Sequence, residues 1–207
     1  MKRYRYLFLS IAILVLAYFS IEVKALDEVK QSLAATFDAK AYARDFLGKN
    51  LAPVLPQAIT LPELLSKLNQ NKDETFEKYS HAVSIGNLRN FLVQGEGKVT
   101  EIQENEVLIA LNNTEPAQVI HLATEFIYGN AIRDAAGLFD IKNFSNSNDI
   151  NSIAAEINRI IRSEVIPPFR KQLKVGDTVQ FFGALELNQA RLNVQQLEIL
   201  PIQLSLK

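Results

Sequence analysis

Apolar residues recur at helical spacing in the first part of the chain. They follow one another every three or four positions in residues 26–33, again in residues 39–47 and again in residues 61–68. This spacing gives each segment one apolar face, as in an amphipathic helix packed on a core. The pattern therefore predicts a helical region over residues 26–85, before the main body of the fold.

Polar residues and a glycine mark the expected ends of these helices. Thr60 and Glu63 have the spacing of a capping box, in which the threonine hydroxyl accepts from a backbone N–H of the first turn. Gly48 stands where a C-cap is expected, just after the second apolar segment. Asp73 is placed to cap one more short helix. These features indicate that the helices are separate and have structural roles.

After Gly86 the apolar residues alternate with polar ones, as they do in half-buried β-strands. Gly95 and Gly97 interrupt the first of these stretches and indicate a bend or a bulge. Five stretches follow this pattern: residues 91–102, 107–111, 119–126, 175–187 and 197–206. Five short strands with glycine bends predict a small barrel or a strongly coiled sheet.

A helix with a clear apolar face divides the third of these strands from the fourth. Its apolar residues keep to one side over residues 150–165, and Pro167 and Pro168 are expected to end it. The pattern GDxVxFxG at residues 176–183 is common in oligonucleotide/oligosaccharide-binding (OB) barrels. We therefore expect an α+β fold, an OB-like β-barrel or coiled antiparallel sheet over residues 86–207. Its helical insertion would occupy about residues 130–168.

The first 25 residues have the pattern of a membrane anchor or a signal peptide. Basic residues among the first five precede an apolar-dominated run over residues 7–21. As a helix this run would span about 22 Å, short of the hydrocarbon core of roughly 30 Å. It suits an uncleaved anchor that thins the bilayer, or a signal peptide cleaved after Ala25. Both alternatives leave the basic end in the cytoplasm and the rest of the chain outside it.

Composition excludes several classes of function. The formal net charge is −1, with no basic block to bind a phosphate backbone, so nucleic acid is not expected as a partner. The chain has no cysteine and only two histidines, His81 and His121. Disulfides, thiolate nucleophiles and most structural zinc sites are therefore excluded, and no cofactor or metal site is expected. The common motifs for nucleotide binding and hydrolysis are also absent.

The candidate site is a segment rich in asparagine and glycine, residues 126–151, between the third strand and the long helix. Asparagine and aspartate supply paired donors and acceptors, and arginine supplies a rigid fork of donors. Such groups suit sugar hydroxyls, a carboxylate or the backbone of another protein. The candidate residues are Tyr128, Gly129, Asn130, Arg133, Asp134, Asn143 and Asn146.

A structural alternative exists for the same residues. Asparagine and aspartate in loops also cap helices and mimic turns, and Arg133 could pair internally with Asp134 or Asp140. If Arg133 and Asp134 are buried and satisfy each other, both binding hypotheses lose their main residues. No second carboxylate or histidine is evidently paired with Asp134, so no catalytic residue is assigned.

Several segments of the chain resemble the sequences of a bacterial family of predicted periplasmic lipoproteins or membrane-anchored proteins of unknown function. The matching phrases cover nearly all of the chain beyond the membrane segment. They are LDEVKQSL at residues 26–33, FDAKAYARDF at 37–46, GEGKVTEI at 95–102, IYGNAIRDAAGL at 127–138, NFSNSNDINSIAAEIN at 143–158, VGDTVQFFGALELN at 175–188 and LEILPIQL at 197–204.

The resemblance implies an extracytoplasmic domain with an OB-like barrel. It also implies that the gene lies beside genes of sugar-type ABC transporters, and therefore that the protein has an accessory role in uptake. No catalytic residues are established for the family, and none is carried over. Lipoprotein members need an N-terminal cysteine, which this sequence lacks. We therefore expect the peptide of residues 7–21 to tether the domain to the inner membrane.

From these observations we expect a non-enzymatic accessory protein whose partner is an ABC-type transporter component or another envelope protein. Residues 126–151 would form the contact surface. The alternative is a domain that binds a sugar or a carboxylate directly through the same segment. A hydrolase is the third hypothesis.

Overall fold

The computed structural model describes residues 37–83, 85–114, 117–144 and 146–207. Within these ranges, Ala39–Lys207 is one compact unit. No helix of the described ranges is long and apolar enough to cross a membrane. The predicted membrane segment and the helix predicted over residues 26–33 lie outside the described residues.

The helices before the sheet are α1 (Ala39–Asp45), α2 (Leu61–Gln70) and α3 (Lys72–Tyr79). Between α1 and α2 the chain continues as a π-helical turn, Phe46–Leu51, and a 3₁₀ helix, Ala52–Gln57. The predicted stop at Gly48 is wrong, because the helical path continues and buries Leu51 and Leu55.

The N-cap of α2 is the predicted residue, and the N-cap of α3 is a different one. The Thr60 hydroxyl accepts from the Glu63 N–H at 3.4 Å, as predicted for α2. The cap of α3 is Asn71, whose Oδ1 accepts from the Glu74 N–H at 3.3 Å, and the predicted cap Asp73 lies inside the helix. Asn71 is preferred because its amide also donates to the Glu74 carboxylate at 3.0 Å.

Seven strands form one sheet, and five of them close into a ring. The strands are β1 (Ile59–Thr60), β2 (Ser80–His81), β3 (Leu88–Ile102), β4 (Glu106–Leu111), β5 (Val119–Ala123), β6 (Thr178–Asn188) and β7 (Leu197–Leu206). Around the ring the order is β3, β4, β5, β7, β6 and back to β3. Only β5 and β7 in the ring are parallel. This closed five-stranded arrangement confirms the predicted OB-like barrel.

The long strand β3 makes the closure possible. It pairs with β6 from Leu88 to Lys98, and its last part, from Gly97 to Ile102, pairs with β4. The short strands β1 and β2 pair with its first half. The strand therefore has to coil, and Gly97 lies where β4 begins to pair, too close to the Ala110 carbonyl for a side chain.

The barrel core is continuous with apolar residues from the helices. Inward-facing barrel residues include Phe91, Val107, Ile109, Leu122, Phe181 and Ile199. Helices α2 and α3 add Leu61, Leu64, Leu68 and Phe76 to the same core. The helical region before the sheet is therefore packed on the barrel through its leucine stripe, as the spacing of that stripe predicts.

The insertion lies between β5 and β6. It consists of α4 (Ala131–Asp134), a 3₁₀ turn (Ile141–Asn143), α5 (Ser147–Ile160), a π-helical turn (Ile161–Val165) and α6 (Ile166–Gln172). The predicted stop at Pro167 and Pro168 is wrong. The prolines occupy the first turn of α6, where the missing N–H needs no partner, and α6 brings Phe169 to the barrel core.

We predict that Gly97→Ala lowers the free energy of unfolding by about 1–3 kcal/mol, because its methyl group would overlap the Ala110 carbonyl oxygen of β4. The matched control is Gly48→Ala. No atom lies within 4 Å of the added methyl group there, and alanine favours the helix by up to about 1 kcal/mol. Urea denaturation of both variants measures this difference. Equal free energies of unfolding for the two variants would contradict the close approach of β3 and β4 at Gly97.

Candidate functional site

The centre of the candidate segment is a buried ion pair between neighbouring residues. Arg133 and Asp134, in α4, are only 2% and 5% exposed. The Arg133 Nε donates to Asp134 Oδ1 at 2.7 Å and its Nη2 to Oδ2 at 3.1 Å. Its Nη1 donates to the Ile150 carbonyl of α5 at 3.1 Å. All three guanidinium nitrogens are therefore used inside the protein.

An aromatic cluster packs against one side of this ion pair. The Arg133 guanidinium lies 4.5 Å from the centre of the Phe139 ring, a cation–π contact. Phe139 stacks on Phe144 with their ring centres 5.1 Å apart. Tyr42 of α1 and Phe46 of the π-helical turn after it contact these rings edge-on. Phe139 and Phe144 therefore pack the insertion against α1 and do not form an open apolar platform for a ligand.

Helix α1 is also attached to the insertion by charge. The Arg44 guanidinium donates two hydrogen bonds to the Glu164 carboxylate, at 3.1 and 2.5 Å. Both side chains are exposed, so the pair contributes less than a buried one would. The neighbouring Asp45 pairs with Lys49 and not with Arg44.

Three consecutive candidate residues lie together on the surface: Tyr128, Gly129 and Asn130. Tyr128 is 60% exposed and Phe126 is 56% exposed, while Ile127 between them is completely buried. Gly129 has φ +77°, the left-handed conformation that favours glycine, and this lets the chain turn into α4. We call Phe126, Tyr128, Gly129 and Asn130 the Phe126 surface.

Two residues of the α5 region hold the Phe126 surface in place. Asn158 Nδ2 donates to the Gly129 carbonyl at 2.8 Å. Arg162 donates to the Ile127 carbonyl, and its guanidinium lies 4.8 Å from the centre of the Tyr128 ring. The backbone between the two exposed aromatic rings is therefore bonded to a helix.

Sequence reasoning missed this role of Asn158 and Arg162. Asn158 is buried, although it is polar and does not belong to the apolar face of the helix. The available signal was their spacing of four, which puts both side chains on one face of a helix.

The structure places Asn143 and Asn146 away from the Phe126 surface. Asn146 caps α5, accepting from the Asp149 N–H at 2.8 Å and donating to the Asp149 carboxylate at 2.9 Å. Asn158 lies twelve residues further along, about 18 Å at the usual helical rise. Asn143 is exposed near the capped end, with its own N–H bonded to Asp140. The candidate residues therefore form two groups at opposite ends of one helix.

An open cavity of about 240 Å³ lies beside the buried ion pair. It is lined in part by Ser80, His81, Arg89 and Asp134. Burial lowers the pKa of His81, and the nearby charge of Arg89 lowers it further. Burial also raises the pKa of Glu186 on β6, to which the charge of Asp134 adds. Among the described residues, no group of three or more histidines and carboxylates is arranged to hold a metal ion.

The fold and the site together define an OB-barrel domain that carries a helical insertion with a buried ion pair at its centre. The model of the family described as "Predicted periplasmic lipoprotein (DUF2291)" matches residues 11–205, and the chain belongs to this family. The family description supports an extracytoplasmic location. The matched range, residues 11–205, includes all the segments that carry the sequence resemblance.

A solved structure is similar over the same region. It is an OB-fold protein of Thermotoga maritima MSB8, with a crystal structure at 1.90 Å resolution. It is 28% identical to this chain, with a TM-score of 0.74, and the match covers 83% of this chain and 99% of the other. No protein with a curated description matches the chain significantly.

We predict that Arg133→Ala lowers the free energy of unfolding by about 3–5 kcal/mol, because it leaves the buried Asp134 carboxylate without its partner. The control is Lys49→Ala, which removes an exposed ion pair and costs less than about 1 kcal/mol. Denaturant unfolding of each variant measures the difference.

A second variant keeps this test informative if Arg133→Ala does not fold. Replacing both charges, as Arg133→Leu with Asp134→Leu, removes the unpaired carboxylate, so the double variant should be more stable than Arg133→Ala. Equal effects of Arg133→Ala and Lys49→Ala would contradict the assigned role of the pair.

Proposed function

We propose that this chain is a non-enzymatic, extracytoplasmic accessory protein that binds another envelope protein through the Phe126 surface. The observation that carries this proposal is the exposure of two aromatic rings on a backbone held by Asn158 and Arg162. The family description supports the compartment. The membrane tether that we propose is residues 7–21, as the sequence predicts.

The geometry suits protein recognition. Exposed aromatic residues cost free energy in water and are enriched at the centres of protein interfaces. Here Phe126 and Tyr128 flank the buried Ile127, so both rings project into solvent from a backbone that is anchored between them. A surface that is already ordered loses less entropy on binding, which leaves more of the contact energy as affinity. Gly129 and Asn130 would supply hydrogen bonds at the edge of the interface.

The partner that we propose is a component of an ABC-type transporter, or another protein of the envelope. An accessory role of this kind in uptake is what the resemblance found in the sequence implies. The net charge of −1 supports a protein partner over nucleic acid. The interface would pair the two rings with an apolar recess in the partner.

The same geometry weakens the alternatives at this segment. Direct binding of a sugar or a carboxylate there relied on Arg133, whose guanidinium nitrogens are all bonded inside the protein. A hydrolase would need a base or a nucleophile at the segment, and Asp134 is buried against Arg133. Protein contact through the outer rings needs neither residue.

The proposal predicts site-specific crosslinking in cells. A photoactivatable amino acid at Tyr128 of the full chain should give a discrete adduct with one envelope protein, and Phe126→Ser should reduce its yield severalfold. The control is the same probe at Val175, an apolar residue that is 63% exposed. Mass spectrometry identifies the adduct. The same adducts from both positions, or none from Tyr128, would contradict the proposal.

A further inference from the structure

Strand β3 changes its neighbour in the middle of its length. Strand β1 pairs with it as far as Gln94, and β4 begins to pair with it at Gly97. Between these points Gly95 and Glu96 are covered by neither strand, although the Asn112 N–H bonds to the Glu96 carbonyl at 2.9 Å. This leaves a notch in the barrel wall between the start of α2 and the turn after β4.

A cavity of about 370 Å³ occupies this notch. It is larger than the cavity beside the ion pair, at about 240 Å³, and it falls in the range of about 300–1,000 Å³ that is typical of small-molecule sites. It lies on another part of the barrel from the Phe126 surface, so a ligand site in the notch is independent of the proposed function.

Carboxamides dominate the polar lining of the notch. Gln94 comes from β3, Gln180 from β6, and Asn112 and Asn113 from the turn after β4. Residues 94, 96 and 180 face away from the core, because their neighbours Val93, Val179 and Phe181 are buried in it. Asn113 has φ +60°, a conformation that asparagine tolerates better than most residues. The tight turn therefore favours asparagine at this position.

Several of these amide groups have unused hydrogen-bonding capacity. Gln94 donates from Nε2 to the Ala58 carbonyl at 2.6 Å, which leaves its Oε1 as an acceptor. Asn112 donates to Glu96 at 3.3 Å and likewise keeps its carbonyl oxygen. Within the described part of the chain, the side chains of Gln180 and Asn113 make no hydrogen bond. Each therefore offers both a donor and an acceptor to a ligand.

The charge of the notch selects the class of ligand. Its carboxylate, Glu96, is paired with the Lys207 ammonium group and also accepts from Asn112. Among the residues that the structure describes, those lining the notch include no arginine, lysine or histidine. A cation would compete with Lys207 for a carboxylate that is already neutralised. The site therefore suits a neutral ligand with many hydrogen-bonding groups.

We infer that this notch binds a neutral polyhydroxylated molecule of the size of a monosaccharide. A carboxamide presents its donor and its acceptor side by side, so one side chain contacts two adjacent hydroxyl groups of a sugar. Gln180 would make such contacts from the barrel wall and Asn113 from the turn. Gln94, whose Nε2 is already bonded, would accept through its Oε1. Pro62, at the start of α2, gives the notch an apolar side for the C–H face of a sugar ring.

The test uses the full chain in a phosphocholine detergent, which has no sugar headgroup to compete. The side-chain NH₂ resonances of ¹⁵N-labelled protein are followed during titration with D-glucose, D-xylose, D-ribose and myo-inositol. Glucuronate and glucosamine serve as charged counterparts. We expect saturable shifts of the Gln180 and Asn113 signals with at least one neutral compound, and weaker binding of its charged counterpart.

Variants link the binding to the notch. Gln180→Leu should weaken binding at least about tenfold, because a buried hydroxyl of the ligand loses its partners. Gln172→Leu, at an exposed carboxamide of α6, should leave binding unchanged. Absence of saturable shifts with every neutral compound, preference for the charged ones, or equal effects of the two variants would each overturn the inference.

Discussion

The buried pair of Arg133 and Asp134 is the interaction on which the arrangement of the insertion depends. Removing two charges from water costs several kcal/mol each, so a buried pair persists only where the geometry returns that cost. Here the fork of the guanidinium matches the carboxylate, the remaining nitrogen bonds to Ile150 of α5, and Phe139 covers the flat face. One side chain thus connects α4, α5 and the aromatic cluster. These contacts hold the parts of the insertion to one another.

This interior arrangement determines which parts of the segment face solvent. With Arg133 and Asp134 turned inward, the outward groups are the rings of Phe126 and Tyr128, held from behind by Asn158 and Arg162. The family description gives the compartment, and the OB barrel gives a rigid support. A surface of this kind is suited to contact with a second protein. The notch on β3, lined by carboxamides, is a separate surface with a chemistry of its own.

The sequence predicted the features that depend on local spacing. The leucine stripe of α2, the Thr60 cap and the alternating strands follow from periods that a helix or a strand imposes on its own residues. It could not show that β3 pairs with β6 across some ninety residues, nor that Asn143 and Tyr128 lie at opposite ends of α5. The inward turn of Arg133 depends on Phe139 and on the Ile150 carbonyl, which become neighbours only in the folded chain. Sequence spacing therefore located the segment, and tertiary contacts decided the role of each residue in it.

The most direct measurement is native-state hydrogen exchange of the α4 amides. The Asp134 N–H bonds to the Asn130 carbonyl at 3.0 Å, and the Ala135 N–H bonds to the Ala131 carbonyl at 2.9 Å. A four-residue helix has almost no stability alone, so protection of these amides must come from the tertiary packing around it, of which the buried pair is a part. We predict that they exchange only through global unfolding, with the same free energy of opening as the Val179 amide in the barrel. Exchange at rates typical of an exposed loop would contradict the account, because the insertion would then open without the barrel.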